Sequence, residues 1–206
     1  MQTVSQTQPD LTPAEARERI VQAAFRLFGR QGYTQTSVQE IAAAAGVKKP
    51  VLYYYFGSKE GLYRALVEQS AYLLRRLVSE ATDPCGADEP IGARMGRLAE
   101  TLIGLARDNK DPVRFFFAHF LAADEDRPAC DTGALETEPR HLLRQLAQEG
   151  IARGELRGDA ADLERLVMGG IQYSIINYLR RPEEEPLDPG LGERIVRAAL
   201  AGFAVR

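Results

Sequence analysis

Lysine, proline and tyrosine crowd one short stretch of this chain, Lys48, Lys49, Pro50, Val51, Leu52, Tyr53 and Tyr54. If the stretch is helical, Val51 and Leu52 can be buried, but the two lysines, the proline and the two tyrosines have no core to face. Ammonium groups and phenols on an exposed helix neutralise phosphates and donate to base edges. They do not break or form covalent bonds. A helix of this kind, held at a fixed angle, is what the DNA major groove admits. Gln39, on the outward side of the helix before, can also reach a base edge, and Thr36, Ser37, Tyr54, Tyr55 and Lys59 are placed to meet phosphates. Lys59 falls in the first turn of a further helix, where a cation opposes the positive helix end, and a phosphate bound there would relieve the misfit.

The elements that must hold this group are legible on either side of it. Ser37 is a helix cap, and Glu40 three residues later completes a capping box. Val38, Ile41, Ala42 and Ala45 follow at the spacing of one helix face. Gly46 supplies a tight turn, and Val47 can pack back on Ile41. Upstream, Thr12, Pro13 and Glu15 cap and open a helix that should run to about Arg30 and stop at Gly32. Downstream, Ser58 caps a long helix with Leu62, Leu66, Leu73 and Leu77 on one side, ending near Ala81. At ~1.5 Å per residue it would span about 36 Å, enough to act as a lever between a small head and a larger body.

The run GVKKPVLYYYFGSKEGL resembles the signature of TetR-family repressors, Gly-Val-x-x-x-x-Leu-Tyr-x-Tyr-Phe-x-(Ser/Asn)-Lys-x-x-Leu. Gly46, Val47, Leu52, Tyr53, Tyr55, Phe56, Ser58, Lys59 and Leu62 match it. Ile20, Ala23, Ala24, Leu27, Phe28, Gly32 and Tyr33 resemble the family's first helix, so the likeness is dense over residues 14–66 and weak beyond. Val51 departs, standing where many members carry Thr or a small polar residue. The resemblance implies an all-α fold, with an N-terminal three-helix helix-turn-helix and a larger C-terminal helical domain for effector binding and dimerisation. It also implies Lys49, Pro50 and Tyr53 in the groove with Lys48 at its lip.

Charge is distributed in keeping with that division. Residues 1–64 hold 8 Lys/Arg against 5 Asp/Glu, and residues 65–206 hold 18 against 24. A basic head on an acidic body suits a protein whose head alone meets phosphate. The expected boundaries are a disordered tail at 1–11, a DNA-binding head at 12–57 and a body at 58–206. The first ten residues, MQTVSQTQPD, have no basic and apolar regions of a signal peptide, and no apolar run approaches the ~20 residues of a membrane span. Cytoplasmic residence is the expectation. Cys85 and Cys130 are too few for a disulfide framework, and neither stands in a basic context that would favour a redox switch.

Five more helical patterns fill the body, making about nine in all, with no alternation that would signal a sheet. They run from Ile91 to about Asn109, from Asp111-Pro112 through four phenylalanines, from Pro139 to near Gly154, from Asp159 to Pro182 and from Asp188-Pro189 onward. Residues 124–137 read as an acidic loop. The two histidines, His119 and His141, lie in no metalloprotease pattern, and there is no phosphate loop or nucleophile elbow. Glu138 and His141 have the spacing of a bundle metal site once only, with Glu138 expected to cap the helix opened by Pro139. No catalytic residue, metal or cofactor is expected. An apolar or aromatic effector could be lined by Phe116, His119 and Phe120, with Tyr173 and Asn177 on a later helix. Adjacent Gly169 and Gly170 suggest a close helix contact, and the family resemblance implies a homodimer, formed through the last two helices, on a palindromic operator. A general DNA-binding protein and a helical-bundle enzyme are the alternatives.

Overall fold

A computed structural model describes residues 11–82, 89–130 and 133–203, without the side chains of residue 82 and residues 133–136. Among these described residues nine α-helices lie in chain order: α1 Pro13–Gln35, α2 Val38–Ala45, α3 Lys49–Phe56, α4 Lys59–Thr82, α5 Ile91–Asp108, α6 Lys110–Leu121, α7 Gly133–Ala152, α8 Ala160–Arg180 and α9 Leu191–Leu200. A 3-10 turn, Asp124–Asp126, precedes α7. No strand occurs among the described residues, and no helix of theirs is long and apolar enough to cross a membrane. The expected tail, but for Leu11, and Cys85 lie outside the described residues.

The local signals act as their chemistry dictates. Thr12 and Ser37 each form a full capping box, with Glu15 and Glu40. Asp159 accepts from Ala161 N at 2.7 Å and Asp162 N at 3.0 Å to start α8. Ser58 Oγ accepts from Gly61 N at 2.9 Å to start α4. Between α2 and α3, Gly46 takes φ 69°, a left-handed conformation a side chain would strain. Its N–H donates to Ala43 O at 3.1 Å while Val47 N reaches Ala42 O at 3.0 Å.

Three boundaries differ from expectation. Beyond Arg30, α1 continues through a kink at Gly32 to Gln35. α7 begins at Gly133, inside the expected acidic loop, and carries Pro139 within it. Pro139 is buried against the cavity described below, and this packing offsets the backbone bond that proline forfeits. Glu138 is therefore a mid-helix residue rather than a cap. α9 starts at Leu191, after Gly190 in the left-handed region, rather than at Asp188-Pro189.

One apolar core runs from α1 to α9 without a break. At its centre Phe25 and Phe28 of α1 meet Phe115 of α6 and Tyr63 of α4, with ring centroids 5.4 Å (Phe25–Phe115), 5.1 Å (Phe28–Tyr63) and 5.0 Å (Tyr63–Phe115) apart. Edge-on arrangements of this kind add to the stabilisation from area alone. The helices meet closely because α1 carries Gly29 at the crossing. A Cβ there would stand 3.0 Å from Phe115 N and 3.3 Å from Phe115 Cα. α6 thus rests directly on α1, beside α4.

Candidate nucleic-acid interface and effector cavity

Fully buried Leu52 anchors α3, and the residues around it point outward. Lys48, Lys49 and Pro50 are exposed, Tyr53 is 47% exposed and Tyr54 82%. Gln39 is exposed on α2. Ser37 spends its hydroxyl on the cap, accepting from Glu40 N at 3.1 Å. The lysines and phenols of α3 make no hydrogen bond or ion pair with another of the described residues, apart from Tyr55. Two cations and two phenols therefore stand ready on a short helix, and pairing with them costs the fold nothing.

Three residues expected on phosphates have other employment. Thr36 is buried and its Oγ1 donates to Gly32 O at 2.7 Å. Tyr55 Oη donates to Pro13 O at 2.8 Å. Lys59 Nζ donates to Tyr33 O and Thr36 O, both at 3.0 Å, and lies 4.0 Å from the centre of the Tyr33 ring. The cause is the kink at Gly32, which leaves carbonyls at the end of α1 turned toward the start of α4. A cation is the natural partner for such a helix end. Burial pushes the Lys59 ammonium below the ordinary lysine range.

The body holds a cavity of about 210 Å³, partly open to solvent, between α4, α5, α6, α7 and α8. Phe116 and Phe120 line it, as expected, with centroids 6.1 Å apart and planes only 20° from parallel. His119, Tyr173 and Asn177 do not line it. His119 lies on the α6 face that carries Phe115, turned toward α1 and α4. Tyr173 is 68% exposed, and Asn177 is half-buried beside it on the outward side of α8. The face of α8 that reaches the cavity carries Met168, Ile171, Gln172 and Ile175. Those residues were missed, although their i, i+3, i+4, i+7 spacing is in the sequence.

His119 instead joins the helices. Arg127 Nη1 lies 2.6 Å from His119 Nε2, and Tyr63 Oη lies 2.7 Å from His119 Nδ1. A guanidinium can only donate, so Nε2 accepts, and the neutral imidazole carries its proton on Nδ1 and donates to Tyr63. Arg127 also bonds Asp124 Oδ1 at 2.9 Å. Burial pushes the Tyr63 phenol well above its ordinary value. Nearby Cys130 is a free, half-buried thiol raised above its ordinary value by burial, which opposes thiolate chemistry.

A second buried charge ties α7 to α8. Glu164 has no exposed surface, and its two oxygens accept from Arg140 Nε at 2.8 Å and Arg144 Nη2 at 2.6 Å. Burial is the largest single influence on this carboxyl and raises it. The arginine hydrogen bonds and charges together outweigh that and hold it below its usual range. No group of three or more His, Cys, Asp or Glu side chains capable of holding a metal occurs among the described residues.

These features, a capped helix-turn-helix with a basic outer face on a helical body around a cavity, define a DNA-binding regulator. Residues 20–66 match the model for bacterial regulatory proteins of the tetR family. The HTH-type transcriptional regulator LmrA of Bacillus subtilis is 36% identical over 170 residues, covering 78% of this chain and 87% of its own. A TetR-like transcriptional regulator from Rhodococcus sp. RHA1 superposes with a TM-score of 0.72 at 20% identity, over 93% of this chain and 99% of that one. FadR from Bacillus subtilis, solved in complex with stearoyl-CoA, does so with a TM-score of 0.69 at 16% identity, over 90% and 98%. The chain belongs to the tetR family of bacterial transcriptional regulators, a family of DNA-binding proteins rather than enzymes.

Proposed function

We propose that this regulator is a repressor, released from a palindromic operator when an apolar or aromatic effector occupies the α4–α8 cavity. The observation that carries the reading is the two-sidedness of α6. Val113, Phe116, Phe117 and Phe120 face the cavity, while Phe115 and His119 pack on α1 and α4. A ligand wedged against the first face displaces the second, and α1 and α4 carry the reader. In this reading α4 is not a lone lever, because α6 shares the transmission. FadR with its bound stearoyl-CoA shows that a protein of this fold takes up an apolar-tailed ligand.

Residues 12–57 form the reader and residues 58–206 the body. Lys49, Pro50 and Tyr53 face the groove, Lys48 stands at its lip and Gln39 reaches a base edge. Ser37 and Tyr54 lie along the phosphates, while Tyr55 ties α3 to the start of α1 and Lys59 ties α4 to the end of α1, where Thr36 closes the turn. Two copies meet through the outward face of α8. There Leu166 and Tyr173 are exposed, and Gly169 between them has nothing within 4 Å of a Cβ. Gly170 faces inward on Ile195 of α9 instead, where a Cβ would lie 2.8 Å from Ile195 Cγ2. The two readers then address half-sites about one helical turn apart or somewhat more, ~34–36 Å. A regulator of genes in this arrangement works in the cytoplasm.

The test is selection of bound duplexes from a random pool, followed by titration of the best one with and without candidate effectors. An inverted repeat whose affinity falls on effector binding, with reciprocal weakening of the effector by DNA, supports the reading. Equal affinity for every duplex would make the protein a general DNA binder.

A further inference from the structure

We infer that the effector is an apolar molecule carrying one carboxylate, and that Arg140 reads that carboxylate at the rim of the cavity. This rests on the cavity being the effector site. The walls are mostly apolar, with Ser70, Thr137 and Gln172 as neutral polar members, and Arg140 is the one charged residue among the described residues that line it. The Arg140 side chain is half exposed, so it stands where the cavity meets water. Its Nε is fixed by Glu164 Oε1, while the other Glu164 oxygen is taken by Arg144. Two guanidiniums thus share one carboxylate, leaving a unit of positive charge uncompensated within that trio. The two terminal nitrogens of Arg140 have no partner among the described residues. Ser70, a further polar residue of the wall, has a buried hydroxyl with no partner.

This is a positioned donor set. Glu164 is fully buried and cannot swing away, so it orients the Arg140 guanidinium without consuming its terminal N–H groups. A planar fork held in that way matches a carboxylate bidentately. A neutral ligand would leave those donors to water, and a cationic one would be repelled. The tail of the same molecule replaces water against Leu73, Leu105, Phe116 and Ile175.

Octanoate, octan-1-ol and octylamine, titrated calorimetrically into the full-length protein, separate the possibilities. Octanoate should bind about tenfold or more tighter than octan-1-ol, with octylamine weakest. Added salt should narrow the first gap. Arg140→Met, which keeps the stem and leaves Glu164 its bond to Arg144, should remove the octanoate advantage while sparing octan-1-ol. Should that variant not fold, the wild-type ranking and its salt dependence decide alone. Octan-1-ol binding as tightly as octanoate overturns the head-group inference and leaves the cavity as an effector site. Binding by none of the three overturns both.

Discussion

Lys59, at the first turn of α4, donates to the carbonyl of Tyr33 near the end of α1 and lies over the ring of the same tyrosine. One cation therefore fastens the helix that leads out of the reader to the helix that leads in.

Lys59→Ala should lower the thermal midpoint and cost on the order of 1–3 kcal/mol of stability, because the charged donor of two carbonyls is lost. Operator affinity should fall through misplacement of the reader, with the slope of log affinity against log salt unchanged. Lys48→Ala, at the lip of the groove beside the phosphates, should do the reverse, leaving stability intact and lowering that slope by about 0.9. A one-unit change of slope in Lys59→Ala would return Lys59 to the phosphates.

The Tyr63–His119–Arg127 chain fixes a tautomer. Nitrogen NMR of the folded protein should find the proton of neutral His119 on Nδ1. Tyr63→Phe leaves that buried donor without its acceptor, at a cost of about 1–3 kcal/mol. If α6 and α4 move together on effector binding, the same variant should blunt release from the operator more than it weakens effector binding. An Nε2-protonated ring would contradict the arrangement.

Glu164 makes stability depend on acid in a stated direction. Its folded value lies below the ordinary 4.5, so its contribution is present above that value and is lost as pH falls through the lower folded one. Thermal midpoints measured from pH 6 to pH 3 should fall less steeply in Glu164→Gln than in the wild type. The variant should be less stable near neutrality and approach the wild type in acid. Parallel curves would remove Glu164 from the acid response.

Assembly through α8 predicts a mass by light scattering twice the chain's 22.8 kDa. Tyr173→Asp should shift it toward one chain, and operator affinity should drop steeply because a single reader addresses only half of the proposed palindrome. Thermal midpoint should become insensitive to protein concentration. A monomer mass for the wild type at micromolar concentration would exclude this assembly.

The reader was legible in the sequence because its determinants are local. Ser37 finds Glu40 three residues on, and Gly46 makes its turn, whatever the rest of the chain does. The body was less so. Phe115, Phe116, Phe117 and Phe120 mark an apolar helix in any reading, but only the placement of α1 on one side shows which of them face the cavity and which the core. Lys59 reads as a phosphate-binding lysine until the kink at Gly32 brings two carbonyls to it. Glu164 carries no local signal of its burial. Its partners lie 24 and 20 positions away on α7, a helix whose start was itself misplaced by the usual meaning of a proline.

Gly29 sets the resting separation of α1 and α6, and it touches neither the cavity lining nor the exposed face of α3. Adding one methyl there forces the helices apart by a few tenths of an ångström, much as a ligand behind α6 would from the other side. In the proposed repressor, the ratio of DNA-competent to released conformations before anything binds is thereby adjustable at a single buried position. Gly29→Ala should act as a partial effector written into the chain, raising basal expression and shifting the apparent effector affinity in proportion to the competent fraction, while both binding sites keep their intrinsic constants.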